Sequence, residues 1–469
     1  MKSTVVAATV LALAFAGISC GGELESGDPD TEQLVELSNP NMRIAIVGAG
    51  PSGLTAAHEL EARGYTNVTV FERENHVGGK VNTIQPAPGV NVELGAVFAS
   101  ADYPLTLSLA SEYGIPTATS STPRFIYDNG VKRTSTEFLL AHYTPTQIGA
   151  AAAAYAGVLQ RFPQIFQDKL NNLPADLEQN FDQFAVQYHI EPVAELAKSL
   201  VVGFGYGFYD DVPAIYTLKI INMLVKVGPT GLSSPTFFSF PTGYQSLWQA
   251  VAADLDVRLN SNVTSIVRTG NPRARIRLTV NGTTTLDFDA VIVSAPLSAV
   301  PSFVTLTLPE RLLFRQVVSS RYIVSLFGAP GVAGGEAVFV QDNAVSSKIN
   351  HVGVWANPSP AFPVFESWQI ADRTKSAADL DGILAADMTS LAGAQAFVPK
   401  LRKEWPDYFP RVSSQTMRYG FYDAVELLQG VGGLYYVGGT LSFETVETSA
   451  RYAQRLVDER FPVTSLTTP

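Results

Sequence analysis

The sequence predicts an α/β protein in two interleaved parts: a parallel-sheet domain assembled from separate segments, and a discontinuous α+β domain between them. Three observations carry the prediction. Residues 44–79 read as a complete strand–turn–helix–strand unit. Later segments, at 241–270, 275–294 and 434–457, reuse the same grammar. What lies between, at 101–240 and 311–410, is different in kind: rich in helical patterns and aromatics first, then mixed strand and helix.

The opening unit begins with an apolar run, Ile44 to Val47, patterned as a buried parallel strand. It enters Gly48-Ala49-Gly50-Pro51-Ser52-Gly53, the G-x-G-x-x-G spacing. A helical pattern follows (Leu54, Ala57, Leu60) and ends near Gly64; a second strand, Val68 to Phe71, stops at Glu72. Gly48 suits the tight turn, Gly50 the close approach of backbone to a pyrophosphate, and Gly53 the packing of helix on strand. The helix N-terminus offers free N–H groups to phosphates. Glu72, 19 residues after Gly53, is placed to accept hydrogen bonds from a ribose diol. A lone glycine fingerprint is a weak signal, but here strands, helix and acid are all present, which makes this a Rossmann-type dinucleotide site.

The chain's 469 residues suffice for two to three domain-sized units. With 46% hydrophobic and 16% charged residues it has the composition of a packed globular protein rather than a disordered one. A net charge of −11 disfavours nucleic acid as a partner. Lys2 followed by the apolar run Val5–Ile18 is too short to span a bilayer but fits a signal peptide. The run ends at Gly17-Ile18-Ser19-Cys20, similar to a bacterial lipoprotein signal, although Gly17 stands where a leucine is usual. The expectation is a signal over 1–20, a tether over 21–41, and export to the periplasm or cell envelope with a lipid anchor on Cys20; plain secretion is the alternative. Cys20 is the only cysteine, so the chain has no internal disulfide, no dithiol redox pair and no cysteine-linked flavin. None of the five histidines are paired at i, i+4, and no metal site is expected.

Further along, 241–270 gives a glycine turn, a helix through Leu247, Val251 and Leu255, and short strands at 257–259 and 263–267. Residues 275–294 predict a β-hairpin turning at Asn281-Gly282, then a buried strand stopping at Ala295-Pro296. Residues 434–457 predict a strand, a Gly-Gly turn and a long helix. The parallel-sheet domain is therefore expected from 42–100, 241–310 and 411–469, and the second domain from 101–240 and 311–410.

Taken in order, these motifs resemble the flavin-dependent amine oxidase and desaturase superfamily. Phe71-Glu72-Arg73 followed by Val77-Gly78-Gly79-Lys80 is similar to that family's acid-then-Gly-Gly-Arg pattern, with Lys80 in place of arginine. The resemblance implies FAD, with Glu72 on the adenosine ribose and Lys80 reaching the pyrophosphate as a point charge. It also places Gly95 and Ala96, in Glu93-Leu94-Gly95-Ala96, along the isoalloxazine, and Val263 against the adenine. Gly438-Gly439-Thr440 and Thr445-Val446 would close over the flavin. A second dinucleotide fingerprint is absent from the middle of the chain, so electrons are expected to arrive from the substrate. Two departures count against simple amine oxidation: Thr445 stands where such oxidases often carry a cage tyrosine, and Ser320-Arg321-Tyr322-Ile323 lacks the lysine they often place beside flavin N5. Gly205 to Tyr216 is similar to a segment of secreted FAD oxidoreductases that include the β-cyclopiazonate dehydrogenases.

The resemblance thus implies an FAD-dependent oxidase or dehydrogenase that oxidises a C–N or C–H bond of a small organic substrate, with oxygen or a quinone as electron acceptor. Alternatives are a membrane-proximal desaturase or isomerase of an apolar substrate, and a non-catalytic flavin-binding lipoprotein. Aromatics and a cation in the second domain mark Tyr206, Tyr209, Arg321 and Tyr322 as expected pocket residues. The competing reading makes the tyrosines of 206–216 core aromatics beside a helix capped by Asp210-Asp211.

Overall fold

The structure is a computed structural model that describes residues 39–228, 231–271, 275–357 and 362–463. The signal segment expected at 1–20, Cys20 and most of the tether expected at 21–41 lie outside the described residues.

Five parallel strands form the first sheet, in the order Val257–Arg258, Asn67–Phe71, Arg43–Val47, Ala290–Val293 and Leu434–Tyr436. They come from three separated stretches of the chain. Ala290–Val293 is buried along its whole length, as a strand covered on both faces must be. The helices Pro51–Ala62 and Val446–Arg460 pack together beside this sheet, so two segments far apart in sequence share one layer. An antiparallel hairpin pairs Ile276–Val280 with Thr284–Phe288. Asn281 (φ 52°) and Gly282 (φ 71°), two of the three residues between the paired Val280 and Thr284, both take the left-handed conformation.

The second sheet has seven strands, in the order Val398–Arg411, Val318–Gly328, Phe365–Ala371, Val354–Asn357, Glu336–Val340, Arg124–Asp128 and Val131–Arg133. Alternation divides it cleanly into two faces. Phe327, Val338, Trp355 and Phe365 pack outward under the helix Ala377–Ala392 through Leu384 and Met388. Tyr322, Phe339, Val354 and Trp368 point the other way, into the main core. Val398–Arg411, not anticipated in the sequence, holds Pro399, Pro406 and Pro410; prolines are tolerated because this is an edge strand with repeated register shifts. The helices Ser135–His142, Pro145–Arg161, Glu191–Gly203 and Ala214–Leu224 belong to the second part, two of them opened by capping boxes at Thr134 and Thr144.

Candidate active site

The glycine turn is built as its spacing requires. Gly48 has φ 104°, and a Cβ on Gly53 would lie 2.0 Å from the Gly48 carbonyl oxygen. The helix Pro51–Ala62 starts at Gly50 with no side-chain cap and no acid in its first turn, so its leading N–H groups are free for an anion. Gly50 and Gly79 approach so closely that a Cβ on Gly79 would lie 3.2 Å from the Gly50 Cα. Glu72, buried at the end of its strand, accepts from the Ala49 amide at 2.8 Å and the Glu74 amide at 2.9 Å. That anchors the acid against the turn. These donors, the bare helix end and the fixed acid fit the phosphates and ribose of a dinucleotide.

A cavity of about 910 Å³ runs from this cradle to the inner face of the seven-stranded sheet. Gly48, Gly50, Pro51, Ser52, Glu72, Arg73, Gly79 and Lys80 line one part. Gly95, Ala96, Val263, Gly439, Thr445 and Val446 also line it. Gly53 and Thr440 stand behind the wall: Gly53 in the helix–strand contact, Thr440 accepting from the Leu297 amide at 3.4 Å. Thr445 caps the helix Val446–Arg460, its hydroxyl accepting from the Thr448 amide at 3.1 Å.

Lys80 departs from the expected arrangement. Its ammonium pairs with the Glu444 carboxylate and donates to the Asp407 carbonyl at 2.7 Å, with the Tyr408 ring 5.4 Å away. In this structure its charge is therefore committed to an acid in the cavity wall. Burial pushes the Glu444 carboxyl up, against the pull of Lys80 and the Phe409 amide.

At the other end, Tyr206 and Tyr322 line the cavity. Tyr206 donates to the Glu444 carbonyl at 2.8 Å and stacks on Phe443 at 5.0 Å. Tyr322 stacks on Tyr408 at 4.4 Å. Gly205 (φ 82°) makes room for that pair, since a Cβ there would fall 2.7 Å from the Tyr408 ring. The other two expected pocket residues are corrected. Arg321 cannot share a face with its strand neighbour Tyr322. It points outward and binds Glu404 through two nitrogens, at 2.7 and 2.9 Å, and the carbonyls of Asp372 and Lys375. Tyr209 is a core residue: its hydroxyl donates to the Ala194 carbonyl at 2.9 Å and its ring meets Phe181 edge-on.

Several wall residues were not anticipated. Trp405 donates to the Leu94 carbonyl at 2.6 Å, tying the edge strand to the Gly95 segment. Tyr103, Trp368, Tyr408 and Glu444 also face the cavity. Glu444 had a sequence signal, standing immediately before Thr445. Trp368, Trp405 and Tyr408 arrive through cross-strand pairing and Tyr103 from the N-cap of the helix Pro104–Glu112, neither of which local sequence states. Near the wall, Arg124 lies over the rings of Phe237 (4.3 Å) and Phe98 (5.6 Å), and burial lowers its pKa.

A phosphate cradle continuous with an aromatic chamber defines a flavoenzyme. The model of the flavin-containing amine oxidoreductase family matches residues 51–327, and the chain belongs to that family. Its cofactor is FAD, and it is an FAD-dependent oxidase in the broad sense. An uncharacterized protein of Acanthamoeba polyphaga mimivirus is 27% identical over 312 residues, covering 60% of this chain but only 63% of that protein. The FAD-dependent oxidoreductase dpchF of Colletotrichum higginsianum is 24% identical across 93% of this chain and 94% of its own length. Among solved structures, a CLA-producing fatty acid isomerase from P. acnes shares the fold, with a TM-score of 0.81 at 23% identity, over 90% of this chain and 99% of that one.

Proposed function

We propose that this enzyme oxidises a C–H or C–N bond of a small, largely apolar organic molecule. Bound FAD would supply the two-electron chemistry by accepting a hydride at N5. The observation that carries the reading is the chamber lining. Phe98, Phe204, Ile220, Met223, Leu224 and Trp368 present apolar surface, and Glu444, the carboxylate beside Tyr206, is already held by Lys80. Lys80 balances the charge of Glu444, so a cationic polyamine would gain little from that acid, although Glu444 Oε2 itself has no hydrogen-bond partner among the described residues. An apolar substrate would be oriented by shape between Tyr206 and the Tyr322–Tyr408 stack. Oxygen or a quinone would reoxidise the cofactor.

A second reading draws on the same lining: isomerisation or desaturation of an apolar substrate. The P. acnes neighbour is described as a fatty acid isomerase. One experiment separates the readings. Purified holoenzyme is mixed anaerobically with a panel of terpenoids, unsaturated fatty acids, amino acids and diamines, and the flavin band is followed. Under the oxidase reading, apolar compounds bleach it and diamines do not. Bleaching by putrescine alone would sink the apolar-substrate reading. Product formation without net bleaching or acceptor consumption would establish isomerisation instead.

A further inference from the structure

Beside the chamber lies a second, smaller cavity of about 200 Å³. Tyr103 and Met223 line both spaces, so their side chains form the wall between them. The Tyr103 hydroxyl reaches the Met223 sulfur at 3.8 Å. The helix Ala214–Leu224 accounts for the arrangement. Ile220 and Leu224, one turn apart, line the chamber; Lys219 and Asn222 line the small cavity; Met223 borders both. Among the other lining residues, Asp102 and Phe166 are exposed, whereas Lys219 and Glu447 are buried. The small cavity therefore leads inward from the surface and ends at the chamber wall.

Three cations and three acids line it: Lys219, Lys226 and Arg451 with Asp102, Asp168 and Glu447. Lys226 pairs with Asp102, and Arg451 with Asp168 at 3.2 Å. Glu447 is held by a neighbouring helix start, accepting from the Leu105 amide at 3.0 Å, the Thr106 amide at 2.9 Å and the Thr106 hydroxyl at 2.7 Å. Lys219 is the exception. It is only 4% exposed, and its ammonium donates to two carbonyls, of Ile165 at 3.3 Å and Gln167 at 2.5 Å. An ammonium has three N–H donors, so one has no acceptor among the described residues. Burial pulls the Lys219 pKa down to about 7, against the pull of Asp168. A buried ammonium without a paired anion is costly, and an apolar side chain such as those at Leu218 and Ile220 would avoid the penalty.

We propose that the small cavity is a subsite for the head of an elongated substrate: Lys219 binds a carboxylate, and the apolar chain runs past Met223 into the chamber. The proposal rests on the apolar-substrate reading above and deepens it. A monoanion matches the single cation that has no acid of its own. Its oxygen takes the free N–H in a charge-assisted bond, and the ammonium gains the counter-ion it lacks. Met223 suits the passage, because its side chain is unbranched with three rotatable bonds and its sulfur is only a weak acceptor for Tyr103.

The test uses FAD-loaded enzyme and three probes, decanoate, decan-1-ol and ethylbenzene, titrated against the flavin absorption band. Wild type is expected to bind decanoate at least as tightly as decan-1-ol. The quantity compared across variants is the ratio of those two dissociation constants, which cancels the probes' own hydration. Lys219→Gln keeps N–H donors for the Ile165 and Gln167 carbonyls but removes the charge; Lys219→Met removes both. In each, the preference for decanoate is expected to fall about tenfold or more. A lysine that only ties the two carbonyls to the helix would lower the melting temperature in Lys219→Met and leave the ratio unmoved. Tighter binding of decan-1-ol than decanoate by wild type overturns the proposal without any variant, and so does an unchanged ratio in the variants. If ethylbenzene perturbs the flavin and neither ten-carbon probe does, the subsite is refuted and the apolar chamber stands. Failure of all three to perturb the wild-type flavin overturns both.

Discussion

The two ends of the cavity are made by different means. The phosphate end is backbone: a glycine turn, bare helix amides, and one acid pinned to the turn by main-chain N–H groups. Its parts lie within residues 48–79, close in sequence as well as in space. The substrate end is made of side chains from distant segments. Tyr103, Tyr206, Tyr322, Trp368 and Tyr408 meet only because strands pair and helices pack. The difference has a physical consequence. A backbone site tolerates almost no added atoms, whereas a side-chain site tolerates substitution and is where specificity is set.

The sharpest way to break that comparison is to add carbon where the cavity wall is backbone, at the phosphate end and at Gly95 beside it. A Cβ at Gly95 would sit 1.9 Å from the Lys80 carbonyl oxygen, and one at Gly53 2.0 Å from that of Gly48. Neither neighbour is the flexible tip of a side chain, so the chain itself must move. Gly53→Val and Gly95→Val are expected to weaken FAD binding by about 100-fold or more. The flavin-to-protein absorbance ratio of purified protein, followed by FAD titration of the apoprotein, measures this. Full flavin content in either variant would mean that the cradle is not a rigid backbone site.

Legibility in the sequence follows the same division. Gly48, Gly50, Gly53 and Glu72 could be read directly, because each answers a local demand for turn, approach, packing or strand-end acid. The hairpin at Asn281-Gly282 was equally local. The substrate end could be read only as composition. Aromatics at 204–216 marked Tyr206, which lines the cavity, and Tyr209, which does not, alike, since sequence alone does not say which ring the turn at Gly205 aims inward. Arg321 was misplaced by one step of a period-two pattern. Trp405 and Tyr408 went unread because their prolines disguised an edge strand.

A smaller effect concerns charge. Glu93 and Glu366 are both pushed up by burial, to about 7 and about 8, from an ordinary value of 4.5. The folded protein therefore holds these protons where the unfolded chain has released them. Their neutral form stabilises the fold fully below about pH 4.5, and the contribution is lost as pH rises through the folded values. Between about pH 5 and 8 wild type is expected to lose more stability than Glu366→Gln, by on the order of 2 kcal/mol. Denaturant melts at a series of pH values measure the two slopes. Parallel slopes would mean that Glu366 is already ionised at neutral pH, against its burial.

The smallest effect compares a loop residue that lines the chamber with one on the outer face of the sheet. Tyr206 and Arg321 both looked like pocket residues, yet only Tyr206 lines the cavity. Tyr206→Phe keeps the ring and its stack on Phe443 but loses the hydrogen bond to the Glu444 carbonyl. That bond is worth about 1 kcal/mol, so the rate of flavin reduction by a true substrate is expected to fall about fivefold with FAD retained. Arg321→Ala removes a paired but outward cation, with Glu404 half exposed beside it. Its reduction rate is expected to match wild type, while stability drops by about 1 kcal/mol or less. Stopped-flow reduction and thermal melts on the same preparations read both quantities. A rate loss in Arg321→Ala equal to that of Tyr206→Phe would show that the outer face of the sheet governs the chamber as much as the inner one. The division between a face that binds and a face that only supports would then fail.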